Sequence, residues 1–208
     1  IFIYINRITI FKTTIMKLQH AVSKTVYAFT IALLAMFFAA ATLHAQTQRV
    51  LVFSRTEGFR HASIDAGKTA FSKMAAEKNF AIDFTEDATK FTTANLKQYS
   101  AVVFLSTTGD VLNDAQQSEF ERYIQAGGGY LGIHAAADCE YDWAWYGRLV
   151  GAYFLDHPNP NNIQKGKFYV TDKNSFATTG MPDEFERSDE FYSFKNIDPS
   201  IHVLVKID

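Results

Sequence analysis

Four short apolar runs, separated by stretches whose apolar residues recur at helical spacing, constrain this chain more than any other feature. Arg49-Val50-Leu51-Val52-Phe53-Ser54 reads as a buried strand. Ile64, Gly67, Phe71, Met74 and Ala75 then follow at helical intervals to about Lys78, and Phe80 to Phe84 alternates as a second strand. Thr93 can cap a short helix over Ala94 to Gln98. Ala101 to Leu105 is a third buried strand. Asn113 with Gln116 three positions on has the pattern of a capping box, opening a helix with Phe120, Tyr123 and Ile124 on one face. Gly127-Gly128-Gly129 ends that helix, and Tyr130 to Ile133 is a fourth strand. Strands joined by helices of this length require crossover units, hence an α/β fold with a parallel sheet covered on both faces.

After Ala137 the rhythm changes. Tyr141 to Leu149 reads as a short helix, Gly151 to Lys165 as loop, and Lys167 to Thr171 and Ile201 to Ile207 as strands. The last run stops at Asp208 with no polar tail, so the domain is expected to be truncated at its C-terminal end.

The 208 residues begin with Ile1, and residues 1–15 read as leader ahead of a start at Met16. Lys17 and Lys24 then precede the uncharged run Val26 to Leu43 and a cleavage pattern at Leu43-His44-Ala45-Gln46. That is the layout of a secretory signal peptide over residues 16–45, predicting a periplasmic or extracellular protein. A membrane contact is expected only through this segment, if it stays uncleaved. Residues 1–45 hold four basic residues and no acid, so residues 46–208 carry 16 basic and 22 acidic side chains. An acidic body lacks the field that phosphate backbones attract, which argues against a nucleic-acid partner. One cysteine rules out an internal disulfide and a polythiolate zinc site.

Polar residues gather where such a sheet binds ligands, beyond the carboxyl ends of its strands. Ser54 to His61 follows the first strand, Ser106-Thr107-Thr108-Gly109-Asp110 the third, and His134-Ala135-Ala136-Ala137-Asp138 the fourth; Asp156-His157-Pro158 lies in the later loop. Each alone is explained by turn chemistry or a structural histidine. Three histidines with Asp138 and Asp156 in reach make a candidate site. Gly132 lies inside a strand two residues before His134, and a small-residue turn presenting one side chain there is an elbow arrangement.

Gly58-Phe59-Arg60-His61-Ala62-Ser63-Ile64, Gly127 to Ala136, Asp138, Trp143 to Gly147, Leu149 to Gly151, His157-Pro158 and Asp189-Glu190-Phe191-Tyr192 resemble the ThuA-like (trehalose utilisation) family from Arg49 to Asp208. The resemblance implies a class I glutamine amidotransferase-like fold, a flavodoxin-like three-layer sandwich. It also implies a link to trehalose and related sugars through keto-sugar intermediates. Two departures are Ser175-Phe176, where the family pattern has His-Pro, and the absence of a closing Gly-His pair before Asp208.

Amidotransferases of that fold carry a nucleophilic cysteine at the elbow, where this chain has His134. Cys139 sits between Asp138 and Glu140, carboxylates that disfavour a thiolate, so glutaminase chemistry is not expected. Imidazoles and carboxylates suit general acid–base work or a zinc-like divalent site. The expected catalytic residues are His134, His61 and Asp138, with His134 and His157 as candidate metal ligands. Glu57, Arg60, Thr107, Trp143, Trp145 and Glu190 are candidate substrate contacts. The aromatic group Tyr141, Trp143, Trp145, Tyr146, Tyr153 and Phe154 is read first as core, and second as a platform for the apolar face of a sugar ring. The residues support an exported enzyme acting on a glycoside or oxidised sugar, with a carbohydrate or small molecule as partner. The alternative is a non-catalytic carbohydrate-binding or docking domain of a larger secreted protein. Oligomeric state is left open.

Overall fold

Val50, Leu51, Val52 and Phe53 extend as β1 (Arg49–Phe53), and their side chains divide between two cores. Leu51 and Phe53 join one cluster, and Val52 the other. The same period-2 split separates Val102 and Phe104 from Val103 and Leu105 on β3 (Ala101–Leu105), as a strand buried on both faces requires. The computed structural model describes residues 47–208 together with Val26, Phe29 and Thr30, so the leader and signal-peptide expectations lie outside the described residues. Thr47–Asp208 form one compact unit.

β2 (Ala81–Thr85) and β4 (Gly129–Ile133) complete a four-stranded parallel sheet in the order β2-β1-β3-β4. That is the order of the first four strands of a flavodoxin-like sheet. Helix α1 (Ser63–Lys78) lays Ile64 and Phe71 on one face, against Val52, Val103 and Leu105. On the other face lie α2 (Thr93–Leu96) and α3 (Asp114–Gln125), with Leu96, Phe120 and Tyr123 over Leu51, Phe53 and Phe104. Phe104 and Phe120 stack at 5.4 Å and neither ring is exposed. Burying a ring of that size is worth about 1.5–3 kcal/mol. The capping box predicted at Asn113 and Gln116 is present, with the Asn113 side chain accepting from the Gln116 N–H and the Gln116 side chain from the Asn113 N–H. At α2 the cap is Thr92, whose hydroxyl accepts from the Asn95 N–H, and not Thr93, which is the first helical residue.

Beyond Ala137 the predicted pattern is corrected. Helix α4 spans Ala144–Val150 and starts later than expected. The stretch read as loop contains β5 (Tyr153–Asp156) and the start of β6 (Ile163–Val170). Two strands went unread, β7 (Glu184–Glu190) and β8 (Ser193–Lys195), and only β9 (Val205–Ile207) forms within Ile201 to Ile207. These make two small antiparallel sheets, β5-β8 and β7-β6-β9. The physical reason is composition: β7 reads Glu-Phe-Glu-Arg-Ser-Asp-Glu and carries almost no apolar alternation. Cross-strand pairing holds it, with ion pairs Lys165–Glu186 and Lys167–Glu184 at 2.6 Å each. Among the described residues no helix is long and apolar enough to cross a membrane.

Candidate functional site

Two of the parallel strands end in a sharp left-handed turn. Ser106 after β3 has φ 50° and His134 after β4 has φ 51°, a region that costs any residue with a Cβ. The Ser106 N–H donates to the Ile133 carbonyl, locking the two turns side by side. Gly132 explains itself by packing, since a Cβ there would lie 2.7 Å from the Tyr130 hydroxyl and 3.2 Å from the Ala136 methyl. His134 is therefore projected from a turn that its surroundings over-determine. The loop after β1 is pinned as well: the Thr108 hydroxyl donates to the Phe59 carbonyl at 2.9 Å, and the Glu57 N–H to the Thr108 carbonyl at 2.8 Å. This loop delivers His61 to the N-terminal end of α1.

The small sheets bring the rest. Glu190 is the last residue of β7, His157 follows β5, and Tyr192 lies between β7 and β8. All converge on the Glu190 carboxylate. His134 Nε2 stands 3.0 Å and His61 Nε2 3.4 Å from its Oε2, while His157 Nε2 stands 3.6 Å from its Oε1. The Asn162 amide donates to Oε1 at 2.5 Å. The Tyr192 hydroxyl lies 3.2 Å from His61 Nε2, and its ring lies 4.4 Å from that of His134. The His61 and His134 rings meet edge to face at 4.6 Å.

Electrostatics follow from this crowding. Burial works to raise the Glu190 pKa, but the Asn162 amide and the His157 and His134 imidazoles outweigh it and hold the carboxyl below its ordinary value. His61 is lowered, first by burial and then by His134 beside it, which keeps its imidazole neutral near pH 7. Burial, with Glu190 next, raises the Tyr192 phenol well above its ordinary range.

These groups line a cleft of about 1020 Å³, at the upper end of the usual range for ligand pockets. Its polar wall holds the three imidazoles, Glu190 and Asp138, and its apolar wall includes Phe59, Ala66, Ala70 and Ile163. Phe59 is 71% exposed with its ring against His61 at 4.9 Å, although the loop beneath it is fixed.

Of the residues singled out from the sequence, His61, His134, His157 and Glu190 are thus brought together. Asp138 lines the same cleft but is engaged by the Tyr141 hydroxyl, at 2.5 Å, and not by an imidazole. Arg60 points away to a bidentate pair with Glu86, and Glu57 pairs with Arg55; neither lines the cleft. Thr107 is fully buried with its hydroxyl unpartnered. Trp143 and Trp145 stack on each other at 5.2 Å against Phe120, in the core on the far side of the sheet. Neither ring lines the cleft; both pack with the core, where burial of an aromatic ring is worth most. The cleft's own aromatic residues are Phe59, Phe154 and Tyr192. Asn162 and Tyr192 were missed as site residues. Tyr192 had a signal, since residues two apart in an extended chain share a side and Glu190 was already a candidate. Asn162 had none.

Cys139 is fully buried, and burial pushes its thiol far above the ordinary range, with Glu140 and Asp138 adding to the rise. It cannot supply a thiolate to the cleft. Glu140 is also buried, at φ 55°, and its carboxyl accepts from the Val111 and Leu112 N–H groups and from the Gln117 amide. Burial pushes it up to about 7 despite these three donors.

The family described as ThuA, trehalose utilisation, matches residues 49–208. A ThuA-like protein from Bacteroides uniformis is similar in structure at TM-score 0.67 and 24% identity, over 79% of this chain and 70% of that one. A second, from Parabacteroides merdae, matches at TM-score 0.63 and 17% identity, over 78% and 68%. These two likenesses show the fold. No curated protein matches.

Proposed function

The chain belongs to the ThuA (trehalose utilisation) family, and from that premise we propose that it is an exported protein of sugar metabolism that processes a trehalose-type or keto-sugar glycoside. One observation carries the reading: three imidazoles converge on one carboxylate inside a cleft with an apolar wall. A sugar ring has polar edges and apolar faces, so it needs both surfaces at once. The exposed Phe59 ring offers the face, and the imidazoles and Glu190 offer donors and acceptors for hydroxyl or carbonyl oxygens.

The chemistry assigned to the cleft is proton handling rather than thiol attack. Glu190, ionised and held by Asn162, accepts from His134 Nε2 and so fixes that imidazole's tautomer and direction. His61 is held neutral by burial and can take a proton from a substrate hydroxyl. His157, on the other side of the carboxylate, is placed to return one. Export rests on the signal-peptide layout of residues 16–45 and assigns the protein to the periplasm or the outside.

Calorimetric titration of the purified protein with trehalose and with its oxidised keto derivative tests the reading, alongside product detection by chromatography. Binding with turnover, both lost in His134→Ala while the fold is kept, is the expected result. Binding without turnover would identify a carbohydrate-binding module instead. No binding by either sugar would refute the assignment of the cleft to sugars.

A further inference from the structure

We propose that His61, His134 and Glu190 form a binding site for one divalent transition-metal ion of the zinc type, ligated by the two imidazole Nε2 atoms and a Glu190 carboxylate oxygen. One ligand atom from each residue lies within 4.8 Å of the others. The two edges to Glu190 are tighter still, 3.0 Å for His134–Glu190 and 3.4 Å for His61–Glu190. Bonds of about 2.0–2.2 Å in tetrahedral geometry place ligand atoms about 3.3–3.5 Å apart, so the two edges to Glu190 match within a few tenths of an ångström and the imidazole pair has at most about an ångström and a half to close. His157, the expected partner of His134, faces the other carboxylate oxygen at 3.6 Å and stands outside this triangle.

The donor set selects the ion. Two neutral imidazoles and one carboxylate suit zinc and its neighbours, whereas magnesium and calcium take oxygen ligands. Three protein ligands leave a position open, as catalytic rather than structural sites do. Tyr192 and His157 line the same cleft beside these ligands.

The ligands are also held as a metal site requires. Glu190 has its Oε1 occupied by the Asn162 amide, which turns Oε2 toward the imidazoles. His134 is fixed by its left-handed turn, and His61 by the pinned loop after β1. The three side chains are 12%, 25% and 12% exposed for His61, His134 and Glu190, shielded yet open on the cleft side. The Asn162 contact is an outer support of the kind that sets ligand orientation before the ion arrives. The inference rests on the cleft being the functional site. With an ion bound, His61 and His134 serve as ligands, and the proton transfer assigned to His61 passes to His157.

The test uses tag-free protein stripped with a chelator and titrated calorimetrically with zinc chloride, with no sugar present. One ion per chain is expected, with no comparable binding of magnesium. Outer-shell losses alone weaken metal sites about 10–100-fold, so His61→Ala, His134→Ala and Glu190→Gln are each expected to weaken zinc binding by about 100-fold or more. His202→Ala removes a surface histidine paired with Asp172 and should leave binding unchanged. Should a variant fold poorly, wild-type protein still decides the matter: zinc should raise its melting temperature, and the rise should grow with the logarithm of free zinc once the site is filled. Cobalt should give the intense visible absorption of a tetrahedral site. Absence of saturable one-to-one binding, or wild-type affinity in His61→Ala and His134→Ala, overturns the proposal. Because sugar is absent throughout, that failure is distinct from a failure of the sugar titrations.

Discussion

His134 at φ 51° makes a prediction whose sign is the reverse of the usual one. At an ordinary position alanine stabilises over glycine by about 0.4–1 kcal/mol, because glycine has more unfolded freedom to lose. In the left-handed region a Cβ costs about 1–2 kcal/mol, and glycine escapes that cost. His134→Ala and His134→Gly lose the same imidazole, the same contact with Glu190 and the same stacking on Tyr192, so those losses cancel in the comparison. What remains favours glycine by about 0.5–1 kcal/mol. For a folded part of this size that is a melting temperature about 1–4 °C higher for His134→Gly than for His134→Ala. Paired urea and thermal unfolding of the two variants, with matched m-values, would measure it. If His134→Ala is the more stable of the pair, the turn is not held left-handed, and the argument that the fold projects this imidazole under strain collapses.

Glu140 gives a pH dependence. Its folded pKa, pushed up to about 7 by burial, lies above the ordinary carboxylate value of 4.5, so the folded state holds a proton that the unfolded chain has lost between those values. The stabilisation from this group is full below pH 4.5 and falls away as pH rises through 7; Glu140→Gln should flatten that part of the stability profile, and parallel profiles would contradict the assignment. Gly132→Ala should cost about 1–3 kcal/mol by overpacking against the Tyr130 hydroxyl, and adding Tyr130→Phe should recover part of the loss. A purely additive double-mutant cycle in urea would show that the two residues do not press on each other. Trp143→Ala should cost stability on the scale of a core aromatic, up to about 3–5 kcal/mol, yet leave zinc and sugar affinities of the folded protein unchanged. A selective loss of sugar binding would return Trp143 to the cleft.

The sequence by itself determined the central sheet. Its two central strands, β1 and β3, are apolar runs buried on both faces, and such runs alternating with capped helices admit few other arrangements, so β1 to β4 and the Asn113 capping box could be read directly. His61 and His134 were legible for a related reason, since the carboxyl ends of parallel strands are where polar residues must gather, whereas His157 was legible only as a polar residue of the later loop. Tertiary structure alone decided the rest. The strands β5 and β8 are only four and three residues long and β7 is charged along its length, and all three form because neighbouring strands supply hydrogen bonds and ion pairs that no local period encodes. Those strands carry Glu190 and Tyr192 across more than fifty residues of chain to His134 and His61, and bring His157 to the same carboxylate. The same folding step turned Trp143 and Trp145 into the core and left Phe59 at the cleft. A tryptophan and a phenylalanine have the same appetite for burial. Which of them reaches it depends on the face of the sheet where each arrives.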